Sequence, residues 1–176
     1  MSSAFRNHYL RLYSMSGWSF AWRVGLEGVA LSGGTGWLIW ESMAVLPIHV
    51  SRRTDLDNFG PLGIVMLILI CGPFCETLLF QTLLVAVAKA FKLPKLGQLL
   101  VSVGGFATAH FMLSIPTGIT AGLICGSYLA FTYIKFCECS ILSAILSTWG
   151  MHAAFNLLTL LSTILSRYAG TVGTPH

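Results

Sequence analysis

Three ionisable side chains, Glu76, His110 and His152, sit inside long apolar runs of the sequence. Carrying such a group into a membrane interior is costly, so each one asks for a partner or a task. Counted along a helix at 1.5 Å per residue, Glu76 lies about 20 Å from Lys89, His110 about 22 Å from Lys95 and His152 about 18 Å from Ser140. Groups that converge on one reacting centre must share a depth, and these do. Asn156 follows His152 by four residues and so shares its helix face, and Phe106 stands four before His110 as an apolar wall. A carboxylate beside an imidazole can take a proton from water, and donors fixed on one helix face can wait where negative charge develops. The same residue types allow other readings. Two histidines and a carboxylate can hold zinc with one open position, intramembrane His and Glu also mark ion pathways, and each group could serve only as an interhelical hydrogen bond.

The elements that must position these groups are membrane helices. The chain has 176 residues, 55% of them hydrophobic and 9% charged, and its mean hydropathy is +0.78. Soluble domains carry about a quarter charged residues, so the solvent here is lipid. At ~20 apolar residues per crossing, a chain of this length supplies five or six helices and almost no domain outside the bilayer. The expected fold class is all-α, a polytopic transmembrane helical bundle with about five spanning helices and an N-terminal interfacial segment, in a single membrane domain over 1–176. The net charge of +4 comes from basic residues scattered at span ends, which argues against a nucleic-acid partner.

Residues 1–20 read as the interfacial segment, with Tyr9, Tyr13, Trp18 and Trp22 of the type that collects at headgroup level. They hold no apolar core of a signal peptide, so the first span is expected to be retained. That span runs from about Trp22 to Leu46 and carries Glu27, Glu41 and a Gly33-Gly34-Thr35-Gly36 patch that could bend it or admit a close neighbour. Glu27 is explained by Arg23, four residues earlier. Residues 51–61 form a loop, and span two follows from Leu62 to Ala88. The lysines of 89–95 close it, and Pro94 stops the helix before span three, Leu96 to Leu113. Ser114 to Thr117 turn into span four, which reaches Lys135 and presents Gly118, Gly122 and Gly126 as a packing stripe. Span five runs from after Cys139 to Ser166. The distribution of Lys and Arg, with Arg52, Arg53 and Arg167 on one side and the remainder on the other, predicts a cytoplasmic N-terminus. Of the five cysteines, Cys71, Cys75 and Cys125 are small hydrophobes, and Cys137 and Cys139 flank Glu138 without ligand partners at metal-site spacing.

The segments from Glu76 to Gln81, Phe106 to His110 and His152 to Asn156 resemble, in order, the three motifs of the CPBP family, the CAAX-protease and bacteriocin-processing intramembrane proteases: EExxxR, FxxxH and HxxxN. The resemblance covers roughly residues 61–166, which it implies to be the catalytic core. It implies that Glu76 and His110 activate a water to attack a peptide carbonyl and that His152 and Asn156 stabilise the oxyanion. It also implies a glutamate-type mechanism with no obligatory cofactor, and the chain holds no HExxH pair to support zinc. Thr77 and Gln81 stand where the family has its second glutamate and its arginine, so an ion pair is replaced and a neutral hydrogen bond between Thr77 and Gln81 is expected instead.

The expected function is therefore intramembrane hydrolysis of a peptide bond in a membrane-associated protein or peptide, at a prokaryotic inner membrane. The alternative is a catalytically inactive scaffold or immunity protein that binds a peptide or partner helix in the same cavity. The partners are the protein or peptide substrate and the lipid bilayer. A serine protease of the rhomboid type is disfavoured, because the segment from Gly122 to Gly126 has no serine at its centre, and no aspartate lies inside a span. An ion carrier lacks the paired broken helices expected of two repeated halves.

Overall fold

The computed structural model describes residues 3–15, 17–43 and 60–172. The loop expected over 51–61 lies outside the described residues apart from Gly60 and Pro61, and the side chains of Glu41, Arg167 and the four aromatics of the N-terminal segment also lie outside. Among the described residues there is no strand; every element is a helix. They are α1 (Ser3–Ser14), α2 (Gly17–Met43), α3 (61–90), α4 (Lys95–Phe111), α5 (Ile115–Phe136) and α6 (Ile141–Val172). The five long rods fall where the hydropathy pattern puts the five spans, although α2 begins at Gly17, ahead of Trp22. Among the described residues three helices are both long and apolar enough to cross a membrane: 62–90, 115–136 and 141–162. At 17 residues α4 is shorter; it buries Ser102, Val103, Phe106 and Ala107 and leaves Leu96, Leu100 and Phe111 exposed.

The turns form for local reasons. At the end of α3 the chain reverses through Lys92 at φ 56°, with Leu93 N–H donating to Ala88 O and Lys92 N–H to Lys89 O. This is the left-handed helix cap usually assigned to glycine. Pro94 then enters α4 with extended backbone, since it has no N–H to continue the previous helix. At the start of α5, Ser114 Oγ accepts from Thr117 N–H and Pro116 occupies the first turn, so the expected tight turn is a capped helix start.

The bundle is built around α5. Just over half of its spanning window (56%) is buried, against 11% for α3, whose Leu62, Leu78, Leu79 and Leu83 point outward to where lipid would be. Phe20, Val24, Phe106, Leu129 and Phe155 form the main apolar cluster, drawn from α2, α4, α5 and α6. One end of the bundle is basic. There Lys95 pairs with Glu138, and Lys135 Nζ donates to the carbonyls of Leu12 and Met15, tying α1 beneath α5. The expected pair of Arg23 and Glu27 is present at 3.1 Å, and His8 reaches the same carboxylate at 3.1 Å.

Three stretches are π-helical: Leu67–Cys71 and Thr77–Leu83 in α3, and Gly118–Cys125 in α5. A π turn bonds i to i+5, widens the helix and turns carbonyls away from their usual partners. In lipid those carbonyls must be satisfied from elsewhere. They are: Ile68 O accepts from Asn156 Nδ2 at 2.9 Å, Ile70 O from Trp149 Nε1 at 3.1 Å and Phe80 O from Ser102 Oγ at 2.9 Å.

Candidate active site

The imidazole of His110 is placed by the glycine stripe of α5. A methyl added to Gly122 would lie 2.8 Å from Ala107 Cα and 3.2 Å from His110 Cβ, and one on Gly126 would lie 2.7 Å from the Phe106 ring. Only a residue without Cβ lets α5 come this close to α4. The stripe packs as its spacing suggested. In the α2 patch only Gly36 has a neighbour, Thr120 Cγ2 at 3.6 Å from an added methyl, while Gly33 and Gly34 have nothing within 4 Å; the tightest approach of α2 is at Gly28, 2.7 Å from Phe155 Cζ. Beyond Gly28 α2 runs along α5, where Ser32 Oγ donates to Thr120 O at 3.4 Å.

His110 Nδ1 lies 2.9 Å from Phe106 O. A carbonyl only accepts, so Nδ1 carries a proton and Nε2 is the nitrogen left to face the cavity. Phe106 stands between the two histidines, its ring centroid 4.2 Å from that of His110 and 5.7 Å from that of His152 in an edge-on arrangement. The wall predicted from the four-residue spacing is thus shared by both imidazoles.

Glu76 sits at the junction where α3 passes from an α turn into its second π segment. Its Oε2 is 3.5 Å from His152 Nε2, an electrostatic contact longer than an ordinary hydrogen bond. The carboxylate retains 38% of its side-chain exposure, whereas His152 keeps 7%. A contact of Glu76 with His152 is thus added to the grouping of Glu76 with His110 that the motifs imply. Asn156, one turn further along α6, donates to Ile68 O. The cause lies in α3. Gly72 N–H bonds to Leu67 O in π register, and the next donor in that register would be residue 73, which is proline and has none. Ile68 O is therefore left over, and the Asn156 amide fills the position. Sequence reasoning missed this link; its one signal was a proline in the middle of an apolar span.

The expected hydrogen bond between Thr77 and Gln81 is not formed. Both side chains are fully buried, and neither has a hydrogen-bond partner among the described residues. The physical reason is the π register over 77–83, in which residues five apart, not four, stack over one another.

A cavity of about 510 Å³ opens beside the two histidines. Phe106, His110, His152 and Asn156 line its reactive side, and Ser32, Gly33 and Gly36 of α2 face them with Thr120 of α5. Glu76 is outside the lining and reaches the cavity by way of His152. Among the described residues no group of three or more His, Cys, Asp and Glu side chains is arranged to hold a metal ion.

Neither a curated protein nor a solved structure matches the chain. A family model does, over residues 58–158, which is more than half of the sequence and includes Glu76, His110, His152 and Asn156. Its description is "Type II CAAX prenyl endopeptidase Rce1-like". The order of the three motifs, their placement on separate helices and this match agree, and the chain belongs to the Rce1-like family of type II CAAX prenyl endopeptidases, membrane-embedded proteases.

Proposed function

We propose that the chain hydrolyses a peptide bond in a membrane-associated protein or peptide, with Glu76 and His110 activating water and His152 and Asn156 stabilising the oxyanion. The observation that carries this reading is the cavity of about 510 Å³ into which two histidines and an asparagine from two helices project, with a carboxylate in contact behind one of them. His110 has its Nδ1 proton committed to Phe106 O, which leaves Nε2 to accept from a water. As that water attacks the carbonyl carbon, its proton passes to the base and charge gathers on the carbonyl oxygen. His152 Nε2–H and the second N–H of Asn156 are the donors on that side. Collapse of the tetrahedral adduct breaks the C–N bond and returns the proton to the leaving amine, giving a new carboxylate and a new N-terminus.

The family description supplies the first substrate to try, a prenylated peptide with a CAAX terminus. The purified chain in nanodiscs is incubated with an internally quenched peptide of that kind beside Glu76→Gln and His110→Ala. Cleavage by the parent and a loss of about 10²–10⁴ in each variant supports the assignment. Parental rates in both variants refute it.

A second reading, a scaffold that binds a peptide or partner helix in the same cavity without cutting it, draws on Thr77 and Gln81, which stand where the resemblance places an ion pair. It predicts that a photocrosslinking CAAX peptide labels parent and Glu76→Gln equally while no product forms.

A further inference from the structure

One layer of the bundle is left unexplained by the site. Thr77, Gln81 and Thr148 are 0% exposed, and among the described residues nothing hydrogen-bonds Thr77 Oγ1, either amide atom of Gln81, Thr148 Oγ1 or His152 Nδ1. Their level is bracketed from both sides. Toward the cavity, Glu76 touches His152 at 3.5 Å. Toward the basic end, Val85 of α3 and Ala144 of α6 belong to one apolar cluster. Thr148 lies one turn from His152 and one turn from Ala144, and Thr77 and Gln81 fall between Glu76 and Val85. Residues 77–83 of α3 pack against α6, so both helices contribute to this level. Thr77, Gln81 and Thr148, wholly shut off from the outside, lie at this packed level.

Buried polar atoms in native proteins are satisfied by protein or by ordered water, and a site that holds a water needs two to four polar partners. This layer offers five polar atoms from both helices. We infer that it is a hydrated pocket, whose water bonds Gln81, Thr77 and Thr148 and donates to His152 Nδ1. The water gives one proton to His152 Nδ1 and the other to Gln81 Oε1, and accepts from the Gln81 amide N–H or a threonine hydroxyl. An accepting Nδ1 keeps the proton of the neutral ring on Nε2, the nitrogen turned toward Glu76. Gln81 and Thr148 are positioning residues in this arrangement: they touch no substrate and act through the tautomer of His152. The value of that tautomer for oxyanion stabilisation rests on the hydrolytic reading above, but the pocket itself does not.

The test uses the full chain, labelled with ¹⁵N-histidine, in detergent micelles at neutral pH, with the His152 resonances identified by their loss in His152→Gln. The expected parent spectrum has Nε2 protonated and Nδ1 bare. Gln81→Leu, which keeps volume and removes the amide, moves the ring toward the other tautomer and lowers the melting temperature. Thr148→Val, nearly isosteric, does the same more weakly, and Thr148→Ser restores the parent spectrum. In a preparation that cleaves peptide, Gln81→Leu lowers kcat about tenfold with KM unchanged, the effect of one lost hydrogen bond on the transition state. A Gln81→Leu chain that melts higher than the parent with an unchanged His152 tautomer overturns the inference, because a dry layer gains from an apolar replacement. A parent ring protonated on Nδ1 overturns it as well. If Gln81→Leu fails to fold, the Thr148→Val and Thr148→Ser pair decides by the same spectrum. A chain that shows the tautomer shift and never cuts a peptide keeps the pocket and loses the protease reading, so the two fail separately.

Discussion

The contact between α4 and α5 and the contact between α3 and α6 hold the same cavity and are built in opposite ways. The first closes by shape: Gly118, Gly122 and Gly126 admit Phe111, Ala107 and Phe106, and the approach is tight enough that a methyl would strike backbone or ring. The second closes by hydrogen bonds from side chains to freed carbonyls, Asn156 to Ile68 and Trp149 to Ile70, in a helix that is mostly turned outward. Lipid offers little hydrophobic drive between helices, so close packing and polar bonds are the two means of association available. The imidazole of His110 needs a position, and shape supplies it. The carboxylate of Glu76 needs a polar surrounding, and the contact that bears it is polar.

Substitutions separate the two. The largest effect is expected from Glu76→Gln, which preserves volume: a rate loss of about 10³ against a prenylated peptide, with the melting temperature close to the parent's. A comparable fall in melting temperature would show that the carboxylate is structural, and the contrast between the regions would dissolve. Next is Gly122→Val on the shape side. Its Cβ would lie 2.8 Å from Ala107 Cα, which is backbone and cannot swing away, so destabilisation of about 2–3 kcal/mol is expected in reversible unfolding in micelles. An unchanged unfolding free energy would mean that α4 and α5 do not approach as closely as described.

A smaller effect sharpens the polar side. Asn156→Leu is expected to cost about 1 kcal/mol in the parent, the usual scale for an interhelical hydrogen bond in a membrane. In a Pro73→Ala background residue 73 regains an N–H for Ile68 O, and the same substitution should then cost almost nothing. A double-mutant cycle with no coupling would break the proposed link between Pro73 and Asn156. Smallest is Trp149→Phe, which keeps a ring against Phe74 and loses the bond to Ile70 O, for about 0.5 kcal/mol by the same unfolding measurement.

The rods, their ends and the common depth of Glu76, His110 and His152 were legible because hydropathy and helix rise are properties of sequence alone. The glycine stripe was legible for the same reason: spacing of four names a face. What spacing could not reveal was a change of helical register. Over 67–71 and 77–83 the residues are apolar or neutral in either register, so nothing marks where i+4 bonding gives way to i+5. The Thr77 and Gln81 pairing failed on this point, since the expectation assumed 3.6 residues per turn. The Pro73, Ile68 and Asn156 link was hidden by it too, because a missing N–H says which carbonyl is orphaned only once the register is known. The contact of Glu76 with His152 likewise depends on how α3 is rotated against α6, which no motif spacing encodes.

The family match ends well clear of α2, yet Ser32, Gly33 and Gly36 of that helix form the wall opposite the histidines. On the proposed hydrolytic reading, the groups for reaction and the wall for admission lie on separate parts of the chain. A methyl at Gly33 would meet nothing within 4 Å, so Ala at that position narrows the cavity without displacing His110, His152 or Asn156. Diversification of what the cavity accepts needs no renegotiation with the chemistry.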